Sequence, residues 1–167
     1  ASATHLYLDH PVEPDPEEIG LFWATRTAPD KKVFSFMPLQ IYDNMDYDNN
    51  GNKISKETMF KEGRETNVAL NKPENIIGIE ACIWSETIHN DKNLFELALP
   101  RLLAVAERAW YQPKWESDKV SPKKRSELID IDYEKFTKLL GATELKFLES
   151  KGATYRLPVP GAIMDKG

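Results

Sequence analysis

The stretch Asn75-Ile76-Ile77-Gly78-Ile79-Glu80-Ala81-Cys82-Ile83-Trp84-Ser85-Glu86 decides the fold class of this chain. Its first ten residues form a near-continuous apolar run of strand length, a pattern typical of a buried strand in a parallel sheet. Residues two apart in a strand share one face, so Trp84 and Glu86 point together from the end of this strand. The stretch therefore predicts a buried parallel strand that delivers an aromatic ring and a carboxylate.

A helix is predicted after this strand. Asn90 or Asp91 is suited to cap it, and apolar residues recur at helical spacing from Leu94 to Ala109. Pro100 is expected to kink this helix or to split it into two pieces. Strand, acid, loop and helix thus follow one another in the order that parallel α/β folds use.

The same order appears earlier in the chain. His5-Leu6-Tyr7-Leu8-Asp9 has strand character, and Pro16 is suited to the first turn of a short helix that carries Trp23. Tyr7 and Asp9 share a face by the same period of two. Two strands that end in polar side chains predict an α/β fold that presents those groups at the carboxyl ends of parallel strands.

The remaining elements are predicted with less regular patterns. A short helix is expected over Lys56 to Leu70, and a longer one over about Asp132 to Ser150, where Gly141 interrupts the pattern. Residues Ser117 to Ser126 are predicted to form a charged, exposed connection. The stretch Gly152 to Gly161 has the pattern of a short edge strand.

Composition limits the function classes of the chain. Its 167 residues are 41% hydrophobic, which is sufficient for a buried core. They carry 22 basic and 27 acidic side chains, and this net charge of −5 argues against a nucleic-acid-binding protein. No run of about 18 apolar residues is present, so no transmembrane helix is expected. The one cysteine, Cys82, excludes an internal disulfide, and its neighbours Ala81 and Ile83 indicate a small buried hydrophobe.

The two pairs of side chains suit a ligand rich in hydroxyl groups. A tryptophan covers the apolar C–H face of a sugar ring, and a neighbouring carboxylate accepts hydrogen bonds from hydroxyls. Each pair also has a simpler interpretation, with Trp84 as a core residue and with Tyr7 hydrogen-bonded to Asp9 at a strand end. His10 and His89 follow the two strands and are candidates to line the same cleft, but solvated loop histidines are the default interpretation for them.

A third constellation lies between the two pairs. The run Asp46-Tyr47-Asp48-Asn49-Asn50-Gly51, followed by a glutamate, matches the calcium-loop pattern D-x-[DN]-x-[DN]-G-x5-E. Calcium favours oxygen ligands at alternate positions with a final bidentate glutamate, and the candidate ligands are Asp46, Asp48, Asn50 and Glu57. Lys53 stands where such loops usually place a hydrophobic residue, and no convincing helix enters the loop. An Asx-rich turn that binds no metal is the alternative.

Several segments together resemble glycoside hydrolase family 20, and within it the bacterial chitobiases (exo-β-N-acetylhexosaminidases). The most specific likeness is in the strand that ends in Trp84-Ser85-Glu86 and in the helix that follows it. The tail Tyr155 to Gly161 resembles the junction into the small C-terminal β-domain of those enzymes. The segments that carry the likeness are Tyr7-Leu8-Asp9, Gly78 to Glu86, Pro100-Arg101, Ala106-Glu107-Arg108-Ala109-Trp110 and the tail.

The resemblance implies an α/β fold, namely the C-terminal portion of a TIM (β/α)8 barrel with about strands 7 and 8 and their helices. Residues 1–116 would form this last part of the catalytic domain, 117–152 a helical extension, and 153–167 the start of a linker or strand to a C-terminal β-domain. A full barrel needs about 250 residues, so we expect a fragment whose partner is the upstream part of the same barrel.

The resemblance also implies a reaction. Family members release terminal N-acetylglucosamine from chitobiose and chito-oligosaccharides by substrate-assisted retaining hydrolysis. Tyr7 would orient the acetamido group, Asp9 and Glu86 would bind sugar hydroxyls, and Trp84 would wall the pocket of the terminal sugar. Trp23 would stack on the next sugar. The catalytic Asp-Glu pair of the family is absent, because the chain contains no H-x-G-x-D-E sequence, so the isolated chain is expected to be inactive.

Other expectations and two alternatives complete this interpretation. No cofactor is expected, and a periplasmic or outer-membrane-associated location is suggested by the resemblance alone. One alternative is a non-catalytic carbohydrate-binding module that uses Tyr7, Trp84 and Glu86. The other is a calcium-binding structural domain built on the loop from Asp46 to Glu57.

Overall fold

A computed structural model of the chain describes residues 3–48, 50–54 and 70–159. Six α-helices lie in these ranges: α1 (Ala3–Leu6), α2 (Asp30–Phe34), α3 (Asp91–Ala98), α4 (Arg101–Trp110), α5 (Pro122–Leu139) and α6 (Leu145–Ser150). Shorter helical turns are the 3-10 turns Ile41–Asn44, Pro73–Asn75 and Lys114–Glu116 and the π turn Leu140–Glu144. In the same ranges, β pairing is limited to two isolated bridges, Tyr7 with Cys82 (parallel) and Tyr47 with Lys53 (antiparallel).

The parallel bridge joins the two segments that the sequence predicts to be strands. The backbone N–H of Cys82 donates to the carbonyl of Leu6 over 2.9 Å, and the N–H of Leu8 donates to the carbonyl of Cys82 over 2.8 Å. The two segments are therefore parallel neighbours. The strands predicted over residues 5–9 and 75–84 are nevertheless wrong as assignments, because α1 extends to Leu6 and only one bridge forms.

The exposure of its side chains shows why the second segment, residues 75–84, is not a strand buried on both faces. Ile79, Ala81 and Ile83 are partly buried and pack on the core. Ile77 is 97% exposed, and Trp84 is half exposed. A central parallel strand needs a neighbour along each edge and cover on both faces, and the described residues supply one neighbour and one cover.

The core lies where α2 and α4 pack on the first segment. Phe34 is at its centre, with ring centroids 5.4 Å from Tyr133 and 4.9 Å from Phe136 on α5. Burial of this apolar surface is the main driving force for the packing of these helices. The buried cluster comprises Leu6, Leu8, Val33, Phe34, Phe36, Met37, Ala104, Val105 and Trp115.

Arg101 at the start of α4 ties the backbone together inside this core. The side chain is fully buried. Its guanidinium donates to the carbonyls of Leu8, His10 (2.8 Å), Ala28 (3.0 Å) and Leu97. The sequence favours structural ion pairing for this residue, but carbonyl oxygens are its hydrogen-bond partners. Because hydrogen bonds to a charged donor are strong, this one side chain fixes three separate segments.

The helix predicted after the second segment is confirmed, together with its break. Asn90 caps α3, since its side chain accepts from the backbone N–H of Asn93 over 2.9 Å. The helix ends at Ala98, and α4 begins at Arg101, so Pro100 separates two pieces as expected.

The helix predicted from Pro16 is wrong. Residues 11–29 form a loop without a helix, which folds back onto the first segment. Gly20 has a φ of +129°, and a Cβ there would lie 2.6 Å from the carbonyl oxygen of Asp9. The neighbouring N–H of Leu21 donates to the same oxygen over 3.2 Å. This close backbone contact needs glycine geometry that a continuous helix cannot provide.

The last third of the chain is more helical than predicted. Ser121 caps α5 by accepting from the N–H of Lys124, so this helix begins at Pro122, ten residues before the predicted start at Asp132. The π turn Leu140–Glu144 interrupts the helical pattern at Gly141, as expected. The predicted edge strand over Gly152–Gly161 is wrong for residues 152–159, which form no strand.

Two predictions need a separate statement. The short helix expected over Lys56 to Leu70 falls on residues 55–69, which lie outside the described part of the chain. A search of the described helices finds none that is both long enough and apolar enough to cross a membrane.

Removal of the Arg101 guanidinium is expected to destabilise the fold strongly. Arg101→Met leaves buried carbonyl oxygens without donors, and each such group costs about 1–3 kcal/mol. We expect the free energy of unfolding to fall by more than about 3 kcal/mol, measured by urea denaturation with circular dichroism. Arg26→Met, at an exposed arginine, is the matched control and should stay within about 0.5 kcal/mol of the wild type. Equal stability of the two variants would contradict the role given to Arg101.

Asp30 at the start of α2 predicts a specific pH dependence of stability. Burial raises the pKa of its carboxyl from 3.8 to about 6, although the positive charge of Arg101 lowers it. Between these values the folded chain binds more protons than the unfolded chain, so this group lowers the free energy of unfolding as pH rises from about 4 to about 6. The full effect is at most about 3 kcal/mol.

Asp30→Asn isolates this contribution, because the amide does not titrate. The unfolding free energy of the variant minus that of the wild type should grow between about pH 4 and about pH 6 in urea titrations. This range runs from the ordinary pKa of the carboxyl to the shifted one. A difference that is independent of pH would show that Asp30 is not the titrating group.

Candidate functional site

Four aromatic side chains meet beside the parallel bridge. The ring centroid of Tyr7 lies 5.3 Å from that of Trp23 and 6.3 Å from that of Trp84, both in edge-to-face geometry. His10 lies 5.4 Å from Trp23 and 6.3 Å from Tyr7. We call Tyr7, His10, Trp23 and Trp84 the aromatic cluster. Trp23 and Trp84 are distant from Tyr7 in the sequence, and the fold brings these three of the five predicted sugar-site residues into one group.

The cluster is open to solvent on its tryptophan side. Trp23 is 53% exposed and Trp84 is 50% exposed, whereas Tyr7 is partly buried between them. Large aromatic rings are usually much more buried than this. Two half-exposed indoles that flank a tyrosine form an apolar, polarisable wall of the kind that covers the C–H face of a sugar.

Local structure explains how Tyr7 and Trp84 become neighbours. Tyr7 pairs directly with Cys82 in the parallel bridge. Trp84 follows Cys82 by two residues along an extended segment, so its side chain leaves on the same side. The contact between the tyrosine and the tryptophan thus follows from the register of a single bridge.

Trp23 reaches the cluster through the loop 11–29. The side-chain Nδ1 of His10 is hydrogen-bonded to the carbonyl of Leu21, which requires a proton on Nδ1. His10 itself is fully buried, so the prediction of a solvated loop histidine is wrong for this residue. His89 is exposed, as expected. The feature of the sequence that could have identified His10 is its position directly after Asp9, at the end of the first segment.

The two predicted carboxylates are placed differently. Asp9 is 1% exposed, and neither of its carboxylate oxygens has a hydrogen-bond partner among the described residues. The simple alternative of a Tyr7–Asp9 hydrogen bond is therefore not formed. Glu86 is exposed beyond Trp84. A buried carboxylate without donors is costly, so the two Asp9 oxygens are unsatisfied acceptors among the described residues.

Cys82 lies at the base of the cluster and behaves as a structural residue. Partial burial, followed by the charge of Glu80, raises the pKa of its thiol. The Sγ atom lies 3.7 Å from Oε1 of Glu80. Because the thiolate is the nucleophilic form, a raised pKa disfavours nucleophilic chemistry at this cysteine.

The candidate calcium loop has its carboxylates engaged by protein groups. Asp46 is paired with the Lys32 ammonium at 3.0 Å. Asp48 accepts from the backbone N–H groups of Asn50 and Asn52 over 2.9 and 2.8 Å, and the side chain of Asn52 lowers its pKa most. Glu57 lies outside the described residues. No group of three or more His, Cys, Asp and Glu side chains that could hold a metal occurs in the described ranges.

A groove of about 900 Å³ lies elsewhere on the described part of the chain, and the aromatic cluster does not line it. It runs between α2, the residues 43–51 and the start of α5. Ion pairs close it: Lys31 with Asp130 at 2.5 Å, Lys32 with Asp46, and Arg125 with Asp43 at 3.0 Å. These charged groups pair with one another, and the aromatic cluster, which holds three of the predicted sugar-site residues, is the better candidate.

Comparison with known proteins gives the family. Residues 1–113 match the profile described as "Glycosyl hydrolase family 20, catalytic domain". The N,N'-diacetylchitobiase of Vibrio harveyi is 37% identical over 173 aligned residues, which cover 98% of this chain and 18% of that protein. The beta-hexosaminidase of Vibrio vulnificus is 36% identical over 176 residues, which cover 95% of this chain and 20% of that protein.

A solved structure agrees with the sequence match. The GH20 exo-β-N-acetylglucosaminidase from Vibrio harveyi, in complex with N-acetylglucosamine, superposes with a TM-score of 0.53 at 23% identity and covers 93% of this chain and 18% of that chain. The fold of the chain is that of part of a TIM-barrel catalytic domain. It belongs to glycosyl hydrolase family 20, as the resemblance implied. It spans about a fifth of the length of the curated relatives it matches.

Calcium is expected to leave the thermal stability of the chain unchanged. The Asp46 and Asp48 oxygens already accept from protein donors, and a cation would have to displace them. After treatment with a chelator, addition of about 1 mM calcium should shift Tm by less than about 1 °C in scanning calorimetry. Lys32→Ala is the matched variant, because it frees the Asp46 carboxylate. A rise of several degrees in the unmodified chain would restore the calcium-domain alternative.

Proposed function

We propose that this chain is the sugar-recognition part of a β-N-acetylhexosaminidase that removes terminal N-acetylglucosamine from chitobiose and chito-oligosaccharides. The observation that carries the proposal is the aromatic cluster, in which the ring centroid of Tyr7 lies 5.3 Å from that of Trp23 and 6.3 Å from that of Trp84. The names of the relatives support the substrate class, since they are a chitobiase and a hexosaminidase. The activity of the whole protein is part of this proposal.

In the proposed mechanism, Tyr7 acts on the reacting atom of the substrate. Its hydroxyl donates a hydrogen bond to the carbonyl oxygen of the N-acetyl group. That oxygen attacks the anomeric carbon while the glycosidic bond breaks, and an oxazoline-type intermediate forms, which water then opens with retention. Holding the oxygen close contributes through proximity. Hydrogen bonding to the charge that develops contributes through electrostatic stabilisation.

The proton for the leaving oxygen comes from a group outside this set of residues. The family's Asp-Glu pair, within an H-x-G-x-D-E sequence, does not occur in the 167 residues. Asp9 and Glu86 are therefore assigned to binding. Both carboxylate oxygens of Asp9 lack donors among the described residues, and sugar hydroxyls would satisfy them. Glu86, exposed beyond Trp84, is suited to the hydroxyls at positions 4 and 6.

In this proposal the two tryptophans contact two different sugars of the substrate. Trp84 lies beside Tyr7 and walls the pocket of the terminal sugar. Trp23 lies on the loop 11–29 with its ring centroid 5.3 Å from that of Tyr7, and it is suited to stack on the next sugar. Stacking on an aromatic face contributes apolar contact without fixing hydroxyl positions, which fits a subsite that tolerates a continuing chain.

A second candidate function is a carbohydrate-binding module without catalysis. The half-exposed tryptophans favour it. Hydrolysis of a chromogenic N-acetyl-β-glucosaminide separates the two functions. We expect no turnover by the 167 residues alone and turnover when they are joined to an upstream barrel portion that carries the acid pair. Turnover by the chain alone would assign proton transfer to Asp9 or Glu86. No turnover by either protein would favour the binding module.

Substitutions in the joined, active protein test the assigned roles. Tyr7→Phe removes the hydroxyl that acts in the transition state, so kcat should fall by a factor of about 100 or more with a small change in KM. Glu86→Gln should mainly raise KM, because it weakens a contact made equally in the ground state. Steady-state kinetics on chitobiose measure both, and equal effects on kcat and KM in Tyr7→Phe would contradict its role.

A further inference from the structure

The tail of the chain, from residue 153 to residue 159, contacts the loop 11–29 that carries Trp23. The backbone N–H of Arg156 donates to the carbonyl of Leu99 over 3.1 Å, which anchors the tail beside the α3–α4 junction. Three residues later, the N–H of Val159 donates to Oε1 of Glu13 in the loop over 2.7 Å. We propose that Arg156 is a positioning residue that holds the loop 11–29 so that Trp23 can bind the second sugar. This inference rests on the proposed function.

Glu18 is the point in the loop that Arg156 holds. Its side chain is 2% exposed, and its two carboxylate oxygens accept from the backbone N–H groups of Val12 and Glu13 over 2.7 and 3.0 Å. The Arg156 Nη2 atom lies 3.3 Å from Oε2 of this carboxylate. The glutamate thereby closes the loop on itself, and the arginine is the positive charge beside a buried negative one. Removal of one partner from such a pair costs far more than loss of an exposed ion pair.

The same guanidinium balances two more acids of the loop. Nη2 lies 3.9 Å from Glu13 and 3.8 Å from Asp15, so three carboxylates surround one cation. Without it, the three negative charges would repel one another within a stretch of six residues. The side chain of Arg156 is 29% exposed, so salt screens this interaction only in part.

Trp23 lies five residues after Glu18, so the restraint on Glu18 acts close to it in the chain. After Glu18 the chain passes through Gly20, whose backbone packs on the carbonyl of Asp9. Leu21 is then fixed twice, by its N–H to Asp9 and by its carbonyl to His10. If the stretch from Glu13 to Glu18 opens, these contacts lose their support, and the indole of Trp23 is no longer held against Tyr7. Affinity for the second sugar then falls with the fraction of loops still in place.

Binding measurements on the full 167-residue chain test this role. Calorimetry gives dissociation constants for chitobiose and for N-acetylglucosamine. Arg156→Gln is expected to weaken chitobiose binding about tenfold, as Trp23→Ala does, and to change monosaccharide binding less than about twofold. Arg156→Lys should recover part of the loss, because it keeps the charge but not the fork geometry. Lys146→Gln, at an exposed lysine on α6, is the matched charge control and should bind as the wild type does.

The outcomes separate this inference from the proposed function. If Trp23→Ala weakens chitobiose binding and Arg156→Gln does not, the positioning role is wrong and the sugar site stands. Equal losses for both sugars in Arg156→Gln indicate a merely structural role and also overturn it. If the wild type binds neither sugar, the proposed function fails. The rate of trypsin cleavage after Arg26 then decides: about tenfold faster cleavage in Arg156→Gln supports the restraint on the loop, and an unchanged rate refutes it.

Discussion

The guanidinium of Arg101 is the interaction on which the rest of the structure depends. It lies in the core with no solvent exposure and donates to carbonyls from the first segment, from the end of the loop 11–29 at Ala28, and from α3 at Leu97. Burial lowers the pKa of this side chain only to about 10, so it stays charged near neutral pH. A permanent cation among carbonyl oxygens fixes the relative positions of elements that share little regular secondary structure.

The geometry of the candidate site depends on these hydrogen bonds of Arg101. Arg101 holds the carbonyls of Leu8 and His10, the residues on either side of Asp9. The first segment is thereby held in place where it pairs with Cys82, and that bridge sets Tyr7 beside Trp84. A helix residue that touches no ligand thus determines where the proposed sugar-binding groups lie. The cluster is assembled by backbone contacts, and its own rings contribute the exposed apolar surface.

Local patterns in the sequence predicted part of this structure. The capped helix pair divided at Pro100 follows from capping and proline sterics, and the family resemblance implied the adjacency of the two segments. The loop 11–29 could not be predicted, because its course depends on Gly20 packing against a carbonyl eleven residues away. The partners of Arg101 are up to 93 residues distant, and a buried arginine that binds carbonyls has no periodic signal. The spacing of Tyr7, Trp84 and Glu86, together with the family resemblance, makes them the candidate site residues, and their roles stay predictions.

The central claim is that Tyr7 and Trp84, brought together by one parallel bridge, face a single N-acetylglucosamine. The most direct measurement is an isotope-filtered NOE spectrum of the labelled chain with unlabelled N-acetylglucosamine. Ring protons of Tyr7 and Trp84 should show cross-peaks to the acetyl methyl and ring protons of the sugar. Cross-peaks to other side chains alone, or none at saturating sugar, would contradict the claim that this cluster is the site.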